Sequence, residues 1–141
     1  MDVLTVEQRR KNMAAIRGKN STPERKVRSM LHRLGLRFRL HDRRLPGKPD
    51  IVLPRFHSVI FVHGCFWHRH PGCKFATMPA TRQEFWRKKF DENVERDHRV
   101  QKDLRKDGWN VIVIWECETR NIASLVGRAR RLQNAKRKKE A

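Results

Sequence analysis

Asp50-Ile51-Val52-Leu53, then Pro54-Arg55-Phe56-His57, then Ser58-Val59-Ile60-Phe61-Val62 is the stretch that decides the fold. Two short apolar, β-branched runs flank a break that begins with proline, the pattern of a hairpin between buried strands. With its midpoint near residues 56–57, Asp50 pairs with about His63, and the start of one strand abuts the end of the next. Downstream, residues 63–80 hold Gly, Pro, His and Cys without periodicity, which reads as a long functional loop. Thr81-Arg82-Gln83-Glu84 has capping-box spacing and opens a helix that reaches Asp107, with Gly108 as its stop. The inward stripe of that helix is Trp86, Phe90, Val94, Asp97 and Leu104. Val111 to Trp115 reads as a central strand, and Ile122, Leu125, Val126, Ala129 and Leu132 mark a final helix. A helix between the third and fourth strands implies a right-handed crossover and parallel pairing, which sets Gly64-Cys65 beside Glu116-Cys117.

Upstream of the hairpin, Ser21-Thr22-Pro23-Glu24 places a cap, an early proline and an N3 acid ahead of Val27, Met30, Leu31 and Leu34. Gly35 ends that helix as a left-handed cap. Leu36, Phe38 and Leu40 alternate with arginines, as in a strand with one buried face, and Leu45-Pro46-Gly47-Lys48-Pro49 is a turn by composition. Thr5 to Arg17 forms a weakly amphipathic further helix, suited to an arm that orders on a partner. The expected order is α-α-β-β-β-α-β-α, an α/β fold with a mixed sheet and helices on both faces. Residues 1–20 form an N-terminal arm, 21–134 the main domain and 135–141 a basic tail.

The charge narrows the function. Lys and Arg number 34 against 15 Asp and Glu, a formal net charge of +19. Residues 1–48 carry +10 and 128–141 carry +6, whereas 49–80 carry only +2 and 81–127 only +1. The bland reading of Arg128 to Lys139 is a fraying basic tail. A folded chain this basic points to a polyanion, with nucleic acid first. Four Trp and seven Phe exclude a disordered basic tail of histone type. No apolar run approaches the roughly 20 residues of a membrane span, and Met1 to Arg10 lacks a secretory stretch. Three cysteines in such a chain are expected to stay reduced.

Those cysteines cluster with histidines. Cys65, His68, His70 and Cys73 fall within nine residues, and the sheet order brings Cys117 alongside. Three cysteines and one histidine form a standard tetrahedral zinc set. Either His68 or His70 supplies the fourth ligand; spacing favours His70, which shares the Pro71-Gly72 turn with Cys73, and leaves His68 for chemistry. Asp50 opens a buried strand, where a carboxylate is out of place. With the Val62 carbonyl, and close to His63, it could hold a hard cation such as Mg²⁺. Asp97 lies on an inward helix face, so it needs a partner. His68 is the natural one, since a carboxylate fixes an imidazole's tautomer for general-base work; a salt bridge to one of the many arginines is equally consistent. Glu24 reads first as a capping-box acid. Phe66-Trp67, in a polar loop, suits stacking or insertion between bases, and Trp86 either joins them or belongs to the core.

The chain resembles the very short patch repair endonucleases, bacterial enzymes that nick thymine-guanine mismatches. The resemblance is carried by Arg10-Lys11-Asn12-Met13, Leu45-Pro46-Gly47-Lys48-Pro49-Asp50, Val59 to His68, Pro79 to Trp86, Asn93-Val94-Glu95-Arg96-Asp97 and Trp115-Glu116-Cys117. It implies a restriction-endonuclease-like fold with an αβββαβ core, an extra N-terminal helix and a structural zinc site. It also implies Mg²⁺-dependent nicking of double-stranded DNA on the 5′ side of the mispaired thymine, at sites of deaminated 5-methylcytosine. By resemblance Asp50 is the metal-binding catalytic aspartate and His68 the catalytic histidine supported by Asp97, while His63 and Glu24 hold metal-bound water. Cys65, His70, Cys73 and Cys117 match the zinc ligands. Phe66, Trp67 and Trp86 match an aromatic wedge, and Met13 a residue entering from the opposite groove. The implied setting is the bacterial cytoplasm, associated with the nucleoid, as a monomer, with other mismatch-repair proteins as further partners. Restriction enzymes usually carry Glu-x-Lys after the first aspartate; here Phe61-Val62-His63 stands there instead. Two other readings stand beside this one: a non-catalytic zinc-stabilised DNA-binding module, and a nuclease of the same fold with another target.

Overall fold

The computed structural model describes residues 20–140, with side chains through Lys136; the helix expected over Thr5 to Arg17, and Met13 with it, lies outside the described residues. Among the described residues a four-stranded mixed sheet is flanked by three α-helices. Helix α1 spans Thr22–Arg33, and Ser21 caps it by accepting from the Glu24 N–H at 3.4 Å. Gly35 closes it with φ +76°, a backbone shape glycine adopts without the Cβ clash other residues meet. Leu36 N–H reaches back to the Leu31 carbonyl. That bond draws Leu36 into the helix cap and the core, so the expected strand over residues 36–40 shortens to β1, Arg39–Leu40, with Leu40 left exposed.

The hairpin forms from β2, Ile51–Leu53, and β3, Ser58–His63. Its register is Ile51↔Ile60, Val52↔Val59, Leu53↔Ser58. One step further sets Asp50 across from Phe61, two residues short of the His63 expected from the sequence. The 3-10 turn Pro54–Phe56 and a left-handed His57 close the connection earlier than a midpoint at 56–57 would.

Helix α2 spans Gln83–Lys106, and Gly108 follows it at φ +90°. Its start differs from the expected capping box: Arg82, not Thr81, occupies the cap in a left-handed conformation, and no side chain caps it. Strand β4, Asn110–Trp115, then pairs parallel with β3 from Ser58↔Asn110 to His63↔Trp115, as the crossover requires. The sheet order β1-β2-β3-β4 makes β4 an edge strand and not the central strand its apolar run suggested. The Arg128 guanidinium shields that edge by donating to the Val113 carbonyl at 3.2 Å, one way an edge strand is protected from further pairing. Helix α3 spans Ile122–Glu140, so the basic stretch from residue 128 continues the helix.

Period-two alternation sorts the core into two layers. Ile51, Leu53 and Ile60 meet Val27 and Leu31 of α1 and Leu125 of α3 on one face. Val52, Val59 and Phe61 meet Leu104 of α2 on the other. Each fully buried side chain of this kind contributes roughly 1.5–3 kcal/mol relative to exposure. No described helix is long and apolar enough to cross a membrane.

Candidate active site

The ends of β2 and β3 and the inner face of α2 enclose a cavity of about 250 Å³. Glu24, Asp50, Val62, His63, His68 and Asp97 all line it, although they come from four separate stretches of chain. The sheet brings the first of these together. Asp50 enters β2 and its Oδ2 accepts the Val62 N–H at 2.7 Å. Burial raises the Asp50 pKa to about 7; the Val62 N–H opposes the rise and the neighbouring Glu24 carboxylate adds to it. The two acids thus stand side by side in a wall that also carries Lys48 and Arg96.

Helix α2 supplies the next part. The Nδ1 of His68 lies 2.7 Å from Oδ2 of Asp97, so the inward acid has the histidine partner. The ring of His68 stacks on that of His63 at 3.9 Å and 6° between planes. Burial, followed by the proximity of His68, pushes the His63 pKa down to about 3, so His63 stays neutral at physiological pH.

Glu24 is 3 % exposed, which a capping acid on the first turn of a surface helix does not need. Its Oε2 accepts the Asn20 N–H at 2.7 Å and is paired with Arg28, while its Oε1 meets His41 Nε2 at 2.8 Å. Sequence reasoning missed His41, as well as Lys48 and Arg96 in the cavity wall. No sequence signal marks His41; only the β1–β2 register, Arg39↔Val52 and Leu40↔Ile51, continued by one step, sets it opposite Asp50.

A second cluster lies at the C-terminal ends of β3 and β4. One ligand-type atom each from Cys65, His70, Cys73 and Cys117 falls within 4.8 Å of the others. His70 Nδ1 is 3.4 Å from the Cys117 sulfur and 3.7 Å from that of Cys65. Tetrahedral bonds of zinc length place sulfur and nitrogen ligands about 3.6 Å apart, so donor type and spacing both fit such an ion. His68 is absent from this group, being held by Asp97. Burial raises the Cys65 thiol to about 12, whereas backbone N–H donation from Phe75 lowers that of Cys73.

Phe66 and Trp67 stand in the chain between Cys65 and His68 and join Trp86 in an aromatic cluster. Phe66 meets Trp67 at 5.2 Å and Trp86 at 6.0 Å, and Trp67 meets Trp86 at 5.8 Å. Phe66 also packs edge-on against the buried Phe90 at 5.2 Å, so this ring is rooted in the core and not confined to a polar loop. Phe85, which sequence reasoning passed over, continues the cluster outward at 48 % exposure.

Comparison with known proteins matches this arrangement to a family. Residues 1–74 match the family described as DNA mismatch endonuclease Vsr. Over 131 residues the chain is 47 % identical to the type II nicking enzyme V.XorIIP of Xanthomonas oryzae pv. oryzae, covering 93 % of this chain and 96 % of the relative. It is 44 % identical over 128 residues to DNA mismatch endonuclease Vsr of Escherichia coli (strain K12), covering 91 % and 81 %. The catalytic domain of the homing endonuclease I-Bth0305I shares the fold, with a TM-score of 0.58 at 20 % identity over 82 % of this chain and 97 % of that one. A purely non-catalytic DNA-binding module is thereby set aside: the chain belongs to the Vsr family and is an endonuclease that acts on DNA.

Proposed function

We propose that the protein nicks one strand of duplex DNA on the 5′ side of the thymine in a T:G mismatch, using Mg²⁺ at Asp50 and His68 as general base. The observation that carries this reading is the His68–Asp97 pair opening into the same cavity as Asp50. Asp97 accepts the Nδ1 proton, which leaves Nε2 of His68 as the basic atom; a water placed there can lose its proton as it attacks the phosphorus. Asp97 then stabilises the imidazolium that results. Stacked against it, His63 stays uncharged and adds no second cation beside that imidazolium.

The Asp50 and Glu24 carboxylates and the Val62 carbonyl fit a hard divalent cation, which takes oxygen ligands. When bound, such an ion neutralises phosphate charge and eases departure of the leaving oxygen. Asp50 is its ligand, and Glu24 holds a water beside it. Cys65, His70, Cys73 and Cys117 hold a structural zinc, which fixes the loop carrying Phe66, Trp67 and His68. Phe66, Trp67 and Trp86 wedge into the stack beside the mismatch, where unstacking is cheap. Met13 enters from the other groove.

The test is nicking of a T:G duplex with Mg²⁺ by the pure protein. Asp50→Ala and His68→Ala should abolish cleavage while mismatch binding and zinc content persist; loss of binding in both would overturn the assignment. Two of the relatives described as type II nicking enzymes, from Xanthomonas oryzae and Neisseria meningitidis, are 47 % and 42 % identical to the chain. That favours one second reading, a nicking enzyme with a different sequence context. A panel of matched, mismatched and methylated duplexes with varied neighbours separates the two.

A further inference from the structure

We infer that His41 is a positioning residue of this endonuclease, one that fixes the Glu24 carboxylate relative to Asp50 and thereby sets the affinity for the divalent cation. The inference deepens the catalytic reading above and rests on it.

Two contacts and one backbone conformation converge on this residue. Its backbone N–H donates to the Asp50 carbonyl at 3.2 Å, so the β1–β2 ladder continues one step beyond Leu40↔Ile51. Its φ is then +47°, a left-handed turn that His, Asn and Asp tolerate better than most residues. That turn breaks the strand and directs the imidazole toward α1, where Nε2 meets Glu24 Oε1 at 2.8 Å. One residue thus ties the end of β1, the first residue before β2 and the first turn of α1 to the same point.

Glu24 needs such a tie. Its carboxylate is buried, and of its contacts the Asn20 N–H and Arg28 are made at Oε2, while His41 holds Oε1. Without His41 the carboxylate loses the imidazole at Oε1 and with it the tie to β1, while Asn20 and Arg28 remain at Oε2. Ligand atoms of Glu24, His41 and Asp50 lie within 4.8 Å of one another, so a small rotation changes the geometry offered to a cation. His41 is not itself the natural ligand: magnesium prefers oxygen, and Nε2 is already engaged by Glu24. Groups that orient metal-site carboxylates in this way typically alter metal affinity or activity by roughly 10–100-fold when removed.

The geometry specifies the variants. His41→Asn tolerates the left-handed backbone but is too short to place a donor where Nε2 stands. His41→Gln reaches that position with its amide N–H. Single-turnover nicking is measured against Mg²⁺ concentration, with DNA affinity and thermal melting recorded in parallel. The expected result is a half-saturating Mg²⁺ concentration raised about 10–100-fold in His41→Asn and His41→Ala. DNA affinity should be unchanged, and His41→Gln should recover most of the loss. An unchanged Mg²⁺ dependence in His41→Asn, or a His41→Gln variant as impaired as His41→Ala, overturns the inference. Failure of wild-type protein to nick with any divalent cation would instead remove the catalytic reading beneath it.

Discussion

Asp50 and His63 are displaced from their ordinary titration ranges in ways that oppose each other. Asp50 is raised to about 7, so the folded state keeps a proton that the unfolded chain sheds near 3.8; the stability this contributes is full below 3.8 and lost as pH rises through 7. His63 is lowered to about 3, so the unfolded chain takes up a proton near 6.5 that the folded one refuses; stability is lost as pH falls from 6.5 toward 3. In the magnesium-free protein the two slopes largely cancel between about pH 4 and 6.5. Relative to wild type, Asp50→Asn should therefore gain stability as pH rises across that window, and His63→Gln should lose it. Denaturation midpoints at a series of pH values check this; superimposable profiles for the two variants would contradict it. Asp97→Asn belongs to the same scale. The amide keeps the packing but no longer fixes the His68 tautomer, and nicking should fall by ~10²–10⁴-fold at unchanged DNA affinity.

At the scale of elements, the turn before β2 is locked to α2. Gly47 has φ +72°, and a Cβ there would come within 2.2 Å of Val100 Cγ1. Gly47→Ala should lower stability by about 1–3 kcal/mol, from overpacking and a strained backbone together. It should also weaken nicking, since Lys48 and Asp50 ride on the same turn. Adding Val100→Ala should restore part of the stability, and a double-mutant cycle with no coupling would refute the steric account. The elements themselves were largely legible. The hairpin, the crossover and the placement of Cys65 beside Cys117 follow from short continuous apolar runs and one intervening helix, because those signals are local. The misplaced details were conformations that no periodicity records. Arg82 and His57 adopt left-handed backbones without being glycine, and these moved the start of α2 and the hairpin register. His41 was invisible for a related reason: its role arises from where a two-residue strand turns, and Arg39–Leu40 carries no pattern by itself. Asp97 was legible because a carboxylate on an apolar stripe is an anomaly, whereas Glu24 sat in a position where an acid has an ordinary explanation.

At the scale of the whole molecule, the charge and the chemistry are unevenly spread. Basic residues crowd the two ends of the sequence, and the near-neutral middle supplies the thiol cluster and most of the cavity, to which the basic N-terminal segment adds Glu24 and Lys48. Affinity for duplex DNA should fall by about 0.9 log units per log unit of salt for each phosphate neutralised. Titration at several salt concentrations measures that slope, and a slope near zero would rule out backbone contacts as the main source of affinity. On the proposal that the cluster holds zinc, Cys117→Ser or chelation should lower the melting temperature, because a metal there joins the loop after β3 to the end of β4 and its binding energy becomes part of the folding free energy.

The parallel pairing of β3 with β4 also orders events in time. His63 and Trp115 are neighbours in the sheet, yet the whole of α2 lies between them in the chain. Contacts so distant along the chain are slow to close, whereas Cys65, His70 and Cys73 meet within a few residues. A chain still emerging from the ribosome, synthesised only as far as β4, offers three donors and an open fourth position. On the proposal that the cluster holds zinc, capture is completed by the arrival of the last strand, and the rate at which zinc becomes inaccessible to a chelator during refolding should report the docking of β4.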